Sequence, residues 1–172
     1  MNDIEGMERA LTEAARALNE GEVPVGAAVY YGDELIAAAG NEREKQQDPT
    51  AHAEMLALRA AARRLGRRRL SGCTMYVTLE PCPMCAGAVS AAGIDRVVFG
   101  TPDPSAGCCG SVYAIPEDPA FGRMVICDGP LLADRCRAVL DTFFTGRRNE
   151  KAGNISREET VLAESRKEEQ HG

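Results

Sequence analysis

The chain has 172 residues, of which 44% are hydrophobic and 27% are charged. This length and composition are typical of one globular domain and exclude a disordered chain. No apolar run is long enough to span a membrane, and residues 1–9 predict no secretory signal, so we expect a cytoplasmic protein without a membrane partner. The net charge of −6 argues against a general nucleic-acid binder.

Two further features of the composition limit the chemistry. Seven cysteines, an odd number, cannot form a complete set of intramolecular disulfides, and in the cytoplasm they are expected to be reduced. Six arginines lie between Arg59 and Arg69. They are interpreted either as a solvated helix end or as a phosphate-binding surface, and the first interpretation is favoured.

Hydrophobic periodicity predicts helices that alternate with short strands. The predicted helices span residues 3–20, 50–65, 83–92 and 131–144. The predicted strands span residues 23–31, 34–39, 73–79, 96–100 and 124–127, and the loops lie at 41–49 and 101–110. This order indicates an α/β fold, and the hairpin around Gly32-Asp33 makes the sheet mixed. Residues 1–146 are predicted to form one domain, followed by a charged tail at 147–172 that is partly disordered or a fraying helix.

Two short motifs indicate one metal chemistry. They are Thr50-Ala51-His52-Ala53-Glu54 and Pro81-Cys82-Pro83-Met84-Cys85, each at a predicted helix start. Together they form the His-x-Glu and Pro-Cys-x-x-Cys pattern of zinc deaminases. Cysteines three apart are neighbours on a helix, whose positive end favours thiolates. Two thiolates and one imidazole leave the fourth position of Zn²⁺ for water, as in catalytic zinc sites.

Glu54 is predicted to move protons rather than to bind the metal. Zinc activates a water that attacks the carbon bearing an exocyclic amine, while Glu54 carries protons to the ring nitrogen and the departing amine. His52 and Glu54 are only two residues apart. They can therefore share a site only if His52 lies before the regular part of the helix.

The residues of the two motifs also admit other interpretations. A thioredoxin-like redox pair explains Cys82 and Cys85 but has no need of the His-x-Glu motif. A structural zinc needs four protein ligands. The second histidine, His171, lies in the tail, and a cysteine could complete such a site, from Cys73, Cys108 or Cys109. A buried histidine without a ligand role is the usual interpretation of a single His. The joint occurrence of both motifs, in this order, favours a catalytic zinc.

Around these motifs the chain resembles the bacterial tRNA-specific adenosine deaminases, within the cytidine deaminase superfamily. The resemblance covers roughly residues 4–150. The segments that carry it are 22–27, Asn41, 48–54, 76–82, 84–88, 96–100 and Phe143-Phe144. It implies a three-layer αβα cytidine-deaminase-like fold with a mixed five-stranded sheet. It also implies a homodimer with one zinc per subunit that converts adenosine to inosine at the wobble position of a tRNA anticodon.

The resemblance further implies three substrate-binding residues. Asn41 is expected to contact the target base, Val25 to form part of the base pocket, and Asp103 to lie beside the ribose of the flipped nucleotide. Taken alone, Asn41 could equally be a loop-capping amide and Asp103 a turn residue, whereas Val25 would be assigned to the core.

Several positions depart from the pattern of these deaminases. Glu42 replaces a common basic residue, and Ser105 replaces a lysine that often approaches a phosphate. The other departures are Cys108-Cys109, residues 112–121 and Thr145. Because all of them affect substrate recognition, a deaminase of free bases or nucleosides, such as guanine or cytosine, is the alternative function. A non-catalytic zinc-binding module, which has no need of Glu54, is the second alternative.

Overall fold

The computed structural model describes residues 2–169, and side chains as far as residue 151. Residues up to Leu140 form one compact unit, and residues from Asp141 form a second. The helices are α1 (Asp3–Asn19), α2 (Arg43–Gln46), α3 (Ala53–Leu65), α4 (Pro83–Ala92) and α5 (Ala133–Glu169). The strands are β1 (Gly26–Tyr31), β2 (Glu34–Gly40), β3 (Cys73–Leu79), β4 (Arg96–Thr101) and β5 (Ile126–Asp128). Short 3-10 turns lie at Ile115–Glu117 and Pro119–Phe121.

The five strands form one mixed sheet in the order β2-β1-β3-β4-β5. The hairpin partner β2 and the central strand β3 both run antiparallel to β1, whereas β3, β4 and β5 are parallel. The parallel half places the carboxyl ends of β3 and β4 side by side, with α4 following β3. Catalytic side chains in open α/β sheets gather at such an edge.

Alternation along the strands builds a core on each face of the sheet. Val29, Met75 and Val97 belong to a cluster that includes residues of α3 and α4, and this cluster fills one face. Tyr76 and Val98 point to the other face, where their cluster includes residues of α1 and the beginning of α5. Helices therefore cover both faces, which confirms the expected three-layer αβα fold.

The start of α3 corrects the sequence prediction. Thr50 was expected to begin this helix, but its hydroxyl and backbone N–H both donate to Asp48 Oδ1, each over 2.7 Å. This local turn holds Thr50 outside the helix. His52 is the N-cap instead, with an extended backbone at φ −71° and ψ 152°. The predicted end at residue 65 is confirmed, and Gly66 follows as the C-cap with φ at +63°.

Three other predicted elements also differ from the structure. The first strand begins at Gly26 rather than Val23. The predicted loop 41–49 contains the short helix α2, because the buried Glu22 carboxylate accepts hydrogen bonds from the N–H groups of Glu44 and Lys45. The last strand begins two residues later than predicted and ends one residue later, at Ile126–Asp128.

The final helix continues beyond its predicted end at Phe144, through Glu169. Arginine, lysine and glutamate are good helix formers, so the charged composition that predicted a tail also permits a helix. In the second unit, the rings of Phe143 and Phe144 meet edge to face, and Arg147 lies over the Phe143 ring. The remaining part of the tail prediction, including His171, falls at 170–172, outside the described residues. Within the described residues, no helix combines the length and apolar character that a membrane span requires.

The arginine cluster at the end of α3 contains at least two structural contacts. Arg64 donates to the carbonyl oxygens of Leu35 and Ile36 and pairs with Glu34 at 2.8 Å. Arg67 donates to the Ser71 carbonyl and lies over the Tyr31 ring. These contacts support the favoured interpretation of the cluster as a solvated helix end.

Candidate active site

The ends of two helices bring the three predicted metal ligands together. His52 is the N-cap of α3, Cys82 is the N-cap of α4, and Cys85 is the third residue of α4. His52 Nδ1 lies 3.6 Å from Cys82 Sγ and 3.5 Å from Cys85 Sγ. One ligand atom from each residue lies within 4.8 Å of the others. This arrangement is compact enough for one metal ion.

The geometry and the donor types both fit zinc. With Zn–S near 2.3 Å and Zn–N near 2.0 Å, a tetrahedral site separates nitrogen from sulfur by about 3.6 Å. Both measured separations agree with that value. Among the described residues, no fourth His, Cys, Asp or Glu joins this group, so Cys73, Cys108 and Cys109 do not complete a structural zinc site. Three protein ligands are typical of a catalytic zinc.

Hydrogen bonding among the ligands shifts their pKa values. The hydrogen bond from Cys85 lowers the pKa of Cys82 to about 4, whereas the same bond raises the pKa of Cys85 well above its usual range. The hydrogen bond with Cys82 raises the pKa of the His52 ring. A thiolate at Cys82 therefore provides negative charge that a divalent cation would compensate.

Glu54 lies next to this group and is not part of it. It is the second residue of α3, is only 4% exposed, and lines the same cavity as His52 and Cys82. Burial raises the pKa of its carboxyl to about 7. The extended backbone at His52 explains how residues two apart reach one cavity: His52 precedes the first helical turn and Glu54 lies within it.

The cavity has a volume of about 170 Å³ and contains all three residues expected to bind substrate. Val25 is buried, as is Asn41, whose Nδ2 donates to the Val23 carbonyl over 3.3 Å. Asn41 Oδ1 is buried and has no partner among the described residues. Buried polar atoms are rarely left unpaired, so this oxygen indicates where a ligand could bind.

Asp103 lines the cavity and also shapes its own loop. Its Oδ1 accepts hydrogen bonds from the backbone N–H groups of Ser105 and Ala106 and from the Ser105 hydroxyl. Burial opposes its ionisation, but these hydrogen bonds lower its pKa below the usual value. The sequence interpretation as a turn residue and the expectation of a pocket residue are therefore both compatible with the structure.

Two charged residues that line the cavity are not among the predicted site residues. Arg43 lies in the segment predicted as a loop, and it is exposed where it lines the cavity. Glu80 is 1% exposed and lies between β3 and Cys82. A carboxylate directly after an apolar strand, within Leu79-Glu80-Pro81-Cys82, is the signal that could have identified Glu80.

The sequence around this site matches a known protein family. Residues 1–101, which contain both motifs, match the family described as "Cytidine and deoxycytidylate deaminase zinc-binding region". A tRNA-specific adenosine deaminase of Bacillus subtilis (strain 168) is 43% identical over 145 residues, covering 84% of this chain and 90% of that protein.

Two groups of solved structures share the fold. A structure from work on A-to-I editing by tRNA:A34 deaminases has a TM-score of 0.77 and 38% identity, covering 80% of this chain and 99% of that chain. A guanine deaminase from Nitrosomonas europaea has a TM-score of 0.63 and 28% identity, covering 81% of this chain and 80% of that chain. The chain therefore belongs to the zinc-binding cytidine and deoxycytidylate deaminase family, in its tRNA-specific adenosine deaminase branch, and is a hydrolytic deaminase.

Proposed function

We propose that this enzyme converts adenosine to inosine at the wobble position of a tRNA anticodon. The observation that carries the proposal is a cavity for a single base, lined by the metal ligands His52 and Cys82 and by Glu54. Its volume of about 170 Å³ is well below the ~300–1,000 Å³ typical of sites for larger ligands. A base flipped out of an RNA loop would enter it, while the phosphates stay outside.

The roles of the reacting groups follow from their positions. His52, Cys82 and Cys85 would hold a zinc ion, which would supply Lewis-acid activation of a water molecule. Glu54 accepts a proton from that water and donates it to N1 of adenine as oxygen adds to C6. Glu54 then takes the proton of the hydroxyl added at C6 and delivers it to the exocyclic amine. The C6–N bond breaks, ammonia leaves and the C6 carbonyl forms, so that adenosine and water yield inosine and ammonia. Burial of Glu54 keeps bulk water away from these transfers.

Base recognition is assigned to three other residues that line the cavity, Val25, Asn41 and Asp103. The Oδ1 of Asn41, which has no partner within the described part of the chain, is available to a polar group on the base. Val25 supplies an apolar surface for the ring. Asp103, in the loop after β4, would lie beside the ribose that connects the base to the RNA.

The charges near the cavity allow RNA to approach an acidic protein. Glu42, which replaces a basic residue, lies 3.5 Å from an Arg16 nitrogen and 3.7 Å from Lys45 Nζ, so its charge is partly compensated. Arg43 is exposed beside it. A guanidinium at the edge of a base-sized cavity favours a substrate that has phosphates over a free base.

We also propose that the enzyme is a cytoplasmic homodimer with one zinc per subunit. A groove lined by Pro83, Tyr113, Phe121 and Met124 presents large apolar side chains, with Tyr113 65% and Met124 58% exposed. Exposed apolar patches of this kind are typical of protein interfaces. A molar mass measured across a concentration series tests this: a mass of one chain at every concentration would contradict it.

A turnover assay tests the proposed substrate. Purified zinc-loaded enzyme is given an anticodon stem-loop with adenosine at the wobble position and, separately, free adenosine, guanine and cytosine. We expect inosine at the wobble position and little turnover of the small molecules. Efficient turnover of a free base, with the stem-loop unchanged at every salt concentration, would instead assign the enzyme to the small-molecule deaminases.

A further inference from the structure

Glu80 is a buried carboxylate to which the deamination mechanism gives no role. It follows β3, lines the active-site cavity and is 1% exposed. Within the described residues it forms no ion pair with any cation. A buried charge without a cation is costly unless hydrogen bonds compensate it, so its hydrogen-bond donors should show what it does.

In the part of the chain that the structure describes, the donors to this carboxylate come from one loop, residues 102–111, here called the clamped loop. Oε2 accepts from the Asp103 N–H over 2.9 Å, and Oε1 accepts from the N–H groups of Cys109 and Ser111 over 2.9 and 3.0 Å. The Ser111 hydroxyl also donates to Oε2. Burial opposes the charge, but these donors lower the pKa of Glu80 below its usual value. The loop is therefore folded around an ionised carboxylate.

Close packing at Gly107 also indicates that the clamped loop is held against Glu80. A Cβ added to Gly107 would lie 2.3 Å from Glu80 Oε2 and 2.5 Å from the Asp103 carbonyl oxygen, so any side chain would collide there. The Cys108 N–H donates to the Pro81 carbonyl over 2.8 Å. The clamped loop thus contacts the short segment between β3 and the metal ligand Cys82 at several points.

We infer that Glu80 is a positioning residue that holds the clamped loop, and with it Asp103, at a set place relative to the metal ligands. Through its hydrogen bonds, the Glu80 side chain holds the loop that contains Asp103 next to the segment that contains the metal ligand Cys82. Glu80 itself does not contact the reacting atoms. The expected effect of Glu80 on kinetics rests on the proposed function, whereas its expected effect on the clamped loop does not.

Glu80→Gln tests the structural consequence without any substrate. Glutamine keeps the size of the side chain, but its NH₂ group faces a backbone N–H or the Ser111 hydroxyl, so at least one donor loses its acceptor. In zinc-loaded enzyme we expect amide hydrogen exchange at 103, 109 and 111 to quicken by ~10- to 100-fold, as for loss of a hydrogen bond to a charged group. Zinc content should stay at one per chain. Unchanged exchange, or loss of zinc, overturns the inference.

Kinetics test the consequence for the substrate. KM for the anticodon stem-loop should rise in Glu80→Gln by more than kcat falls, because the metal ligands and Glu54 keep their places. A fall in kcat with KM unchanged would mean that Glu80 acts on the chemistry and would overturn the positioning role. If the wild type does not process the stem-loop, the proposed function fails, while the exchange result still decides whether the loop is clamped.

Two further variants provide the controls. Glu22→Gln is the matched control, since Glu22 is 2% exposed and its carboxylate also accepts two backbone N–H bonds, but from α2. It should quicken exchange at 44 and 45 and leave the clamped loop unchanged. Ser111→Ala removes only one donor and keeps the carboxylate, so it should reproduce the Glu80→Gln effects more weakly. If Ser111→Ala and Glu22→Gln change exchange in the clamped loop equally, the assignment to Glu80 is wrong.

Discussion

The active-site cavity has two sides that are built differently. On the metal side, His52, Glu54, Cys82 and Cys85 lie at the starts of two helices packed on the sheet. On the recognition side, Asn41 and Asp103 lie outside regular elements, and the adjoining segments are held by the buried carboxylates of Glu22 and Glu80. The side chains on the metal side are therefore positioned by the packing of two helices on the sheet. Those on the recognition side are positioned by a few hydrogen bonds.

The largest expected effect is at the metal ligands. Cys82→Ser or Cys85→Ser removes a thiolate, so zinc content should fall well below one per chain and deamination should become undetectable. Because metal binding is linked to folding, Tm should also fall by at least ~5 °C. Metal analysis of reduced, freshly purified protein, together with thermal unfolding, checks both. If the wild-type enzyme contains no zinc, the assignment of His52, Cys82 and Cys85 as metal ligands is wrong.

Glu54 separates chemistry from metal binding on the same side. Glu54→Ala should retain zinc and the fold, because Glu54 is not among the three grouped ligands. Activity should fall by ~10²- to 10⁴-fold, the usual contribution of a proton-transfer group. Single-turnover rates and zinc content are measured on one preparation, with Glu54→Gln as the variant of equal size. Normal turnover in both variants would favour the non-catalytic zinc-binding module.

Asn41 tests the recognition side at the base. Its Oδ1 is buried without a partner among the residues that the structure describes, so a bound base is expected to supply one. Asn41→Ala should lower kcat/KM for the stem-loop by ~10- to 100-fold, through a lost hydrogen bond to the base, while zinc content is unchanged. If kcat/KM stays the same, Asn41 is a loop-capping amide, as its bond to the Val23 carbonyl alone would suggest.

The smallest expected effect concerns the phosphates. Ser105 is exposed and donates to Asp103, so Ser105→Lys adds a cation at the surface without filling the cavity. RNA binding should tighten, and the slope of log affinity against log salt should steepen by roughly 0.7, as for one more phosphate contact with a single strand. Turnover of free nucleoside, if present, should stay almost unchanged. A salt series with both proteins and both substrates decides this, and equal slopes would place residue 105 away from the RNA.

The sequence predicted the metal side in more detail than the recognition side. Both motifs, the helix Pro83–Ala92 and the left-handed glycines Gly66 and Gly93 follow from residues close together in the chain. The start of α3 was wrong by three residues, because Thr50 forms its hydrogen bonds with Asp48 rather than with the helix. That error matters to function, since a helix from Thr50 would have turned His52 and Glu54 to different faces.

The donor types of the metal site, the order of helices and strands, and the mixed sheet can all be predicted from the sequence, because local spacing and hydrophobic periodicity encode them. Two features of the site become visible only in the folded chain. Asn41 Oδ1 is buried without a partner among the described residues. The Glu80 carboxylate accepts hydrogen bonds from Asp103, Cys109 and Ser111. Glu80 and Ser111 are 31 positions apart. A hydrogen bond between residues so far apart in the sequence forms only when the loop folds back to the end of β3. No local sequence pattern specifies that contact.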